Sequence, residues 1–292
     1  METRLLGLKK EVIIGDQQPT VLIGERINPT GRKELAEALA DGDLEIVRKE
    51  ALAQVKAGAD VLDVNVGVAG LDEVDLLPRA VKVIMDTVDI PLCLDSSSPK
   101  ALEAALKVCP GKPLINSVTA EERSLEMVLP LVKEYKAAVI GLTMDDEGIP
   151  NDSDKRLLVA SKIVARAEAM GIPPEDIIID CLAQTVGVDT GAGLVTIEAI
   201  RKIKVKLGVN MTLGASNISF GLPTRSLLNN VFLAIAIASG VNCPIVDVAW
   251  VRQAVLAGDL ILGRDSYAMR YLKGYRSARG LSRQERGGFS SD

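Results

Sequence analysis

The chain has 292 residues, 48% hydrophobic and 25% charged, which is enough apolar material for a sizeable core and too much for a disordered chain. A net charge of −5 leaves no basic surplus to neutralise phosphates, and three Phe, four Tyr and one Trp leave little for base stacking, which argues against a nucleic-acid partner. There is no histidine, so a Ser-His-Asp triad, a histidine-ligated metal and a histidine general base are all excluded.

The first ten residues, METRLLGLKK, lack the apolar core of a secretory leader, which predicts a cytoplasmic protein. Cys93, Cys109, Cys181 and Cys243 are widely spaced with no C-x-x-C pair; they read as small buried hydrophobes in a reduced compartment, and no metal site is expected. The one long apolar run, residues 231–251, contains Gly240, Asn242, Pro244 and Asp247. A helix, a turn and a strand explain it better than a membrane span.

Taken in order, short apolar runs alternate with longer helical patterns. VLIGERI (21–27) predicts a strand, followed by helical spacing over 32–56 with a break near Asp41 and Gly42. DVLDVNV (60–66), PLCLD (91–95), PLINSV (113–118), AAVIGLTM (137–144) and IIID (177–180) predict further strands. The helices after them are expected over 73–87, 100–108, 120–135, 153–170 and 193–207. Residues 211–214 precede a helix over 226–239, and PIVDV (244–248) precedes whatever follows Trp250. Eight strand-then-helix units with near-continuous apolar strands imply a single-domain α/β protein, a (β/α)8 TIM barrel spanning residues 1–273. A doubly wound sheet is the alternative, but no G-x-G-x-x-G follows the first strand. Residues 274–292 hold four Arg, four Gly and four Ser without a periodic apolar face, and are expected to form a mobile tail.

Polar residues recur at the C-terminal ends of these strands: Glu25 with Asn28, Asp63 with Asn65, Asp95, Asn116, Asp145, Asp180, Ser216 with Asn217, and Asp247. That end of a barrel carries the active site. Each residue alone could be a turn or a helix cap, Asp145 and the Ser216-Asn217 pair included. Repetition on every strand favours a site. It is rich in carboxylate and amide and poor in cations, so it suits a ligand that donates hydrogen bonds, or a divalent cation, more than a phosphate.

The segments GERINPTGRK (24–33), LDVNVG (62–67), LCLDSS (92–97), LINSVTAE (114–121), IGLTMDDEGIP (140–150), IIID (177–180) and GASNIS (214–219) resemble the pterin-binding methyltransferases. Closest in pattern are methyltetrahydrofolate:corrinoid (iron-sulfur) protein methyltransferases and the folate domain of cobalamin-dependent methionine synthase. The likeness runs in order over about 21–262. By that resemblance Asp95, Asn116 and Asp180 hold the amino-pyrimidinone edge of the pterin, Asn217 contacts the methylated ring nitrogen, and Ser216 lies beside it. Glu25, Asn28, Asp63, Asn65 and Arg225 match family positions as well, although Glu25 and Arg225 could equally brace the barrel. Cys181 departs from the pattern, standing where near relatives have Pro, and leaves the shape of the loop over 182–191 open.

The implied reaction moves a methyl group between methyltetrahydrofolate, or tetrahydrofolate, and the cobalt of a corrinoid. A tertiary amine releases its methyl only if the nitrogen gains positive charge, and an amide hydrogen bond that strengthens with that charge favours the transition state. The amide of Asn217 does not titrate, so the proton must come from solvent or from a carboxylic acid through water, for which Asp63 is the candidate. A corrinoid module of the usual D-x-H-x-x-G type cannot be encoded without histidine, so the corrinoid is expected on a separate partner protein. Two alternatives are a dihydropteroate synthase-like enzyme, whose basic Ser-Arg-Lys pattern is here Ser216-Asn217-Ile218, and a non-catalytic pterin-binding subunit. Barrels of this kind tend to be homodimers, and the apolar helix near 227–238 is the candidate contact face.

Overall fold

The computed structural model describes residues 1–278. Eight parallel strands form the barrel: β3 (Ile23–Ile27), β4 (Val61–Val64), β5 (Leu92–Asp95), β6 (Leu114–Val118), β7 (Ala138–Leu142), β8 (Ile177–Asp180), β9 (Asn210–Thr212) and β10 (Ile245–Val246). The hydrogen-bonded order is β10-β3-β4-β5-β6-β7-β8-β9, and a parallel bridge from Gly214 to Ile245 closes the ring. The helices packed outside are α1 (Lys33–Ala40), α2 (Glu45–Ala57), α3 (Glu73–Met85), α4 (Pro99–Leu106), α5 (Glu122–Tyr135), α6 (Ser153–Ala169), α7 (Ala192–Leu207), α8 (Arg225–Ser239), α9 (Val248–Ile261) and α10 (Met269–Ala278). No described helix is long and apolar enough to cross a membrane.

Strand side chains alternate between two cores. Leu62, Val64, Leu92, Leu94, Ile115, Val139 and Ile179 face the helices. Ile23, Val61, Cys93, Leu114, Ala138, Ile140 and Ile178 fill the barrel interior. Two residues further along each strand, the same inward direction is taken by Glu25, Asp63, Asp95, Asn116 and Asp180. The polar layer noticed in the sequence is therefore the next storey above an apolar one, placed there by the two-residue period of the strand.

Beneath the apolar layer lies a hairpin that the sequence reading did not anticipate. β1 (Glu2–Leu6) pairs antiparallel with β2 (Glu11–Gly15), and its Leu5, Val12 and Ile14 join the interior cluster. Asn210 ties it down, donating through Nδ2 to Thr3 Oγ1 at 2.8 Å and to the Ile14 carbonyl at 3.1 Å. Leu6 and Lys112 exchange backbone hydrogen bonds of 3.0 and 2.9 Å. The N-terminal end of the barrel is thus plugged.

Two expectations are corrected and one open alternative is decided. The run over 244–248 is only partly strand: Asp247 accepts from the Ala249 N–H at 3.2 Å as the cap of α9, which starts at Val248, ahead of Trp250. Asp145, left open between turn and site, is a turn residue, its carboxylate accepting from the Glu147 N–H at 3.0 Å. The boundary placed at Gly274 falls inside α10, where Gly274 permits a close approach to Leu256 of α9; the remaining tail lies outside the described residues.

Candidate active site

At the open end, β4, β5, β6 and β8 bring five of the expected residues together. Asn65 donates through Nδ2 to Asp95 Oδ2 at 3.0 Å, and Asn116 donates to Asp63 Oδ1 at 3.1 Å. Asp180 accepts from the backbone N–H of Leu182 at 2.6 Å and of Gly214 at 3.2 Å. Asp63 and Asp180 are only 2% and 5% exposed.

Burial sets the protonation of this group. Asp63 is pushed well above the usual carboxylate range by burial first and by the charge of Asp95 second, against hydrogen bonds from Cys93 and Asn116. Asp95 is raised to about 6 by burial and by Glu73, while hydrogen bonds from Asn65 and Asp63 oppose the rise. Burial and mutual charge disfavour ionising both carboxyls together, and the rise is the stronger at Asp63. Asp180 also reaches about 6 by burial, held down by its two backbone donors and by Arg156. The result is a mouth with two carboxylates poised to accept N–H groups and one amide, Asn116, beside them.

The Asn217 turn follows β9 at the same end of the barrel, and the Gly214 N–H that leads into it donates to Asp180. Residues Ala215–Ser219 form a single 3-10 turn, and Asn217 is exposed there. Among the described residues its side-chain amide has no hydrogen-bond partner. The turn itself is held firmly. Ser216 Oγ donates to Glu25 Oε1 at 2.7 Å, Arg225 Nη2 donates to the Ser216 carbonyl at 2.8 Å, and Arg225 Nε donates to Ser219 Oγ at 3.1 Å. Glu25 and Arg225 therefore brace the catalytic candidate. Asn28 is not joined to the group; its Oδ1 accepts from the Thr30 N–H at 2.9 Å in a local turn.

Sequence reasoning missed two contributors. Arg156, fully buried, donates to the carbonyls of Pro150, Cys181 and Leu182 at 2.8, 2.6 and 3.1 Å and to Gln184 Oε1 at 3.1 Å. It shapes the loop after Asp180 that the Cys181 departure left open. The second is a cavity of about 450 Å³ beside Asp95 and Asn116, walled by Ser96, Ser117, Thr119 and Arg123. The hydroxyl runs DSSS and NSVT were its only signal in the sequence.

The family model of pterin binding enzymes matches residues 24–247, which contain every residue of this polar layer. The chain belongs to the pterin binding enzyme family. It is 31% identical over 269 residues to a methylcorrinoid:tetrahydrofolate methyltransferase of Eubacterium limosum, a match covering 89% of this chain and 97% of that one. It is 35% identical over 246 residues to methionine synthase of Mycobacterium leprae, covering 79% of this chain and 20% of that much longer one. The enzyme is accordingly a methyltransferase. Its fold also matches solved dihydropteroate synthases. One from Yersinia pestis with a pterine-sulfa conjugate has a TM-score of 0.69 at 16% identity, covering 90% of this chain and all of that one. One from Xanthomonas albilineans with 4-aminobenzoic acid has a TM-score of 0.70 at 19% identity, covering 89% and 98%. At such low identity these two report the barrel alone.

Proposed function

We propose that this methyltransferase carries a methyl group between methyltetrahydrofolate, or tetrahydrofolate, and the cobalt of a corrinoid held by a separate protein. The observation that carries the reading is the unpartnered amide of Asn217, fixed by Glu25 and Arg225 over the same mouth as Asp95, Asn116 and Asp180. In this reading the carboxylates accept the ring N–H donors of the pterin and Asn116 serves the mixed donor-acceptor edge. Asn217 then meets the ring nitrogen that gains charge as the methyl leaves. A preorganised dipole that spends no hydrogen bond on its own protein is free to strengthen one in the transition state.

Asp63 takes a different role from that of a proton donor at the nitrogen. Its polar contacts are Cys93, Asn116 and Asp95, so it positions the pterin-binding groups from below. The transferred proton is then supplied by solvent at the mouth. The acceptor corrinoid belongs to a partner because this chain has no histidine for its usual binding motif.

The reading predicts saturable binding of methyltetrahydrofolate followed by methyl transfer to cob(I)alamin. Binding without any transfer would instead make this a pterin carrier, and condensation of a pterin pyrophosphate with p-aminobenzoate would make it a synthase. We further propose a homodimer through α8, whose Leu227, Val231 and Ile235 are 61%, 53% and 45% exposed along one face. A monomeric mass at micromolar concentration would refute the dimer.

A further inference from the structure

Away from the mouth, on the outer wall, α2, α9 and α10 enclose a cavity of about 570 Å³. Lys56, Arg252, Arg270 and Lys273 line it, with Gln253 and Ser277, and no Asp or Glu does. Four cations converging in a chain of net charge −5 repel one another, so their arrangement asks for a counter-charge. The protein supplies it only in part. The Asp259 carboxylate lies fully buried behind Arg270 at 2.8 Å and is shared with Thr20 and Arg264. The nearby Asp60 is engaged by the Leu22 N–H at 3.0 Å. Lys56 and Lys273 have no ion-pair partner among the described residues.

The site is also built. Arg252 lies across Gly58, donating from Nη1 to its carbonyl at 2.8 Å. Gly58 has φ +104°, and a Cβ there would stand 2.4 Å from the guanidinium carbon. Only glycine therefore lets Arg252 lie in this place, and the hydrogen bond fixes its planar fork at the cavity wall. The cavity is within the range of roughly 300 to 1,000 Å³ typical of small-molecule sites.

We propose that this cavity binds a compact multivalent phosphate, with Arg252 and Arg270 presenting guanidinium groups and Lys56 and Lys273 closing on it as mobile charges. Guanidinium groups match tetrahedral phosphate oxygens better than they match dispersed carboxylates, and ammonium groups add point charge without a geometric demand. The site is separate from the methyl-transfer reading and does not depend on it.

The test is calorimetric titration of the full chain with inorganic tripolyphosphate, ATP and citrate at about 0.15 M salt, where the Debye length of about 8 Å suppresses diffuse attraction. The expected result is one tripolyphosphate per chain, with ATP binding at least as well. The exposed double variant Lys56→Glu/Lys273→Glu should weaken both at least tenfold while its thermal unfolding stays that of the parent chain. Arg252→Gln should likewise weaken both at least tenfold. Absence of saturable binding, binding that both variants leave unchanged, or citrate binding as tightly as tripolyphosphate would each overturn the proposal.

Discussion

Asn217 and the Asp63–Asp95 pair use polarity in opposite ways. Burial holds the pair toward its protonated forms, whereas Asn217 leaves an amide open. If that amide acts on the departing nitrogen, Asn217→Ala should lower the transfer rate on the order of 10²-fold or more while changing pterin affinity far less. Equal losses in both would mean uniform binding. Alanine at Asp95, Asn116 or Asp180 should do the reverse, weakening pterin binding by about 1 to 3 kcal/mol because ring donors lose a buried acceptor. The raised carboxyls add a pH signature. Asp95 and Asp180 sit near 6 in the folded chain against an ordinary 3.8, so the free fold binds protons more tightly than the unfolded chain. Its stability should therefore fall as pH rises from about 4 to about 6, the sign opposite to that of salt-bridged carboxylates. Pterin N–H donors favour the ionised forms, so binding near pH 6 should release protons. Calorimetry in buffers of differing ionisation enthalpy reads that release, and its absence at pH 6 would count against carboxylate recognition of the ring.

At the scale of elements, Arg156 is the piece most exposed to a single change. It rises from α6, reaches Thr196 of α7 at 3.1 Å, and spans the backbone that follows Asp180. Arg156→Met keeps much of the volume but strands several buried carbonyls, so a loss of about 3 kcal/mol or more in chemical denaturation is expected. Pterin affinity should drop with it, because Leu182 and Gly214 orient Asp180 through their N–H groups. None of this was legible from sequence: an arginine inside an amphipathic helix gives no sign of which loop lies above it. The eight βα units were legible, since strands buried on both faces read as unbroken apolar runs. So was the polar layer, because each member follows an interior apolar residue by two positions, as Cys93 precedes Asp95. The opening hairpin has its own period-two signal in ETRLL and EVIIG, but a pattern of five residues competes poorly with longer ones. β10 was overdrawn because PIVDV serves two elements, and Asp247 belongs to the helix.

For the molecule as a whole, the hairpin matters more than its length implies. Leu5 is fully buried among the interior side chains of several strands, so Leu5→Ala should cost about 2 to 5 kcal/mol in thermal or denaturant unfolding. The cavity it leaves lies one apolar storey below Asp63 and Asn116. Pterin affinity should stay close to that of the parent chain at temperatures where the variant is folded, which separates support of the barrel from support of the site. A variant that lost affinity in proportion to stability would show that the two layers are coupled.

A plugged floor also makes the barrel a cul-de-sac. Whatever reaches Asp180 and Asp95 must arrive through the rim, and whatever leaves must go back the same way. If the proposed corrinoid carrier seats on that rim it acts as a stopper, so the small ring must already be inside when it arrives and must wait for it to depart. The timetable of turnover is then dictated by plumbing: compulsory order, with the pterin first on and last off. Excess carrier should trap or exclude the ring and depress steady-state turnover. Stopped-flow release of the folate product should slow as carrier concentration rises, and a release rate indifferent to carrier would mean that the chamber has a second door.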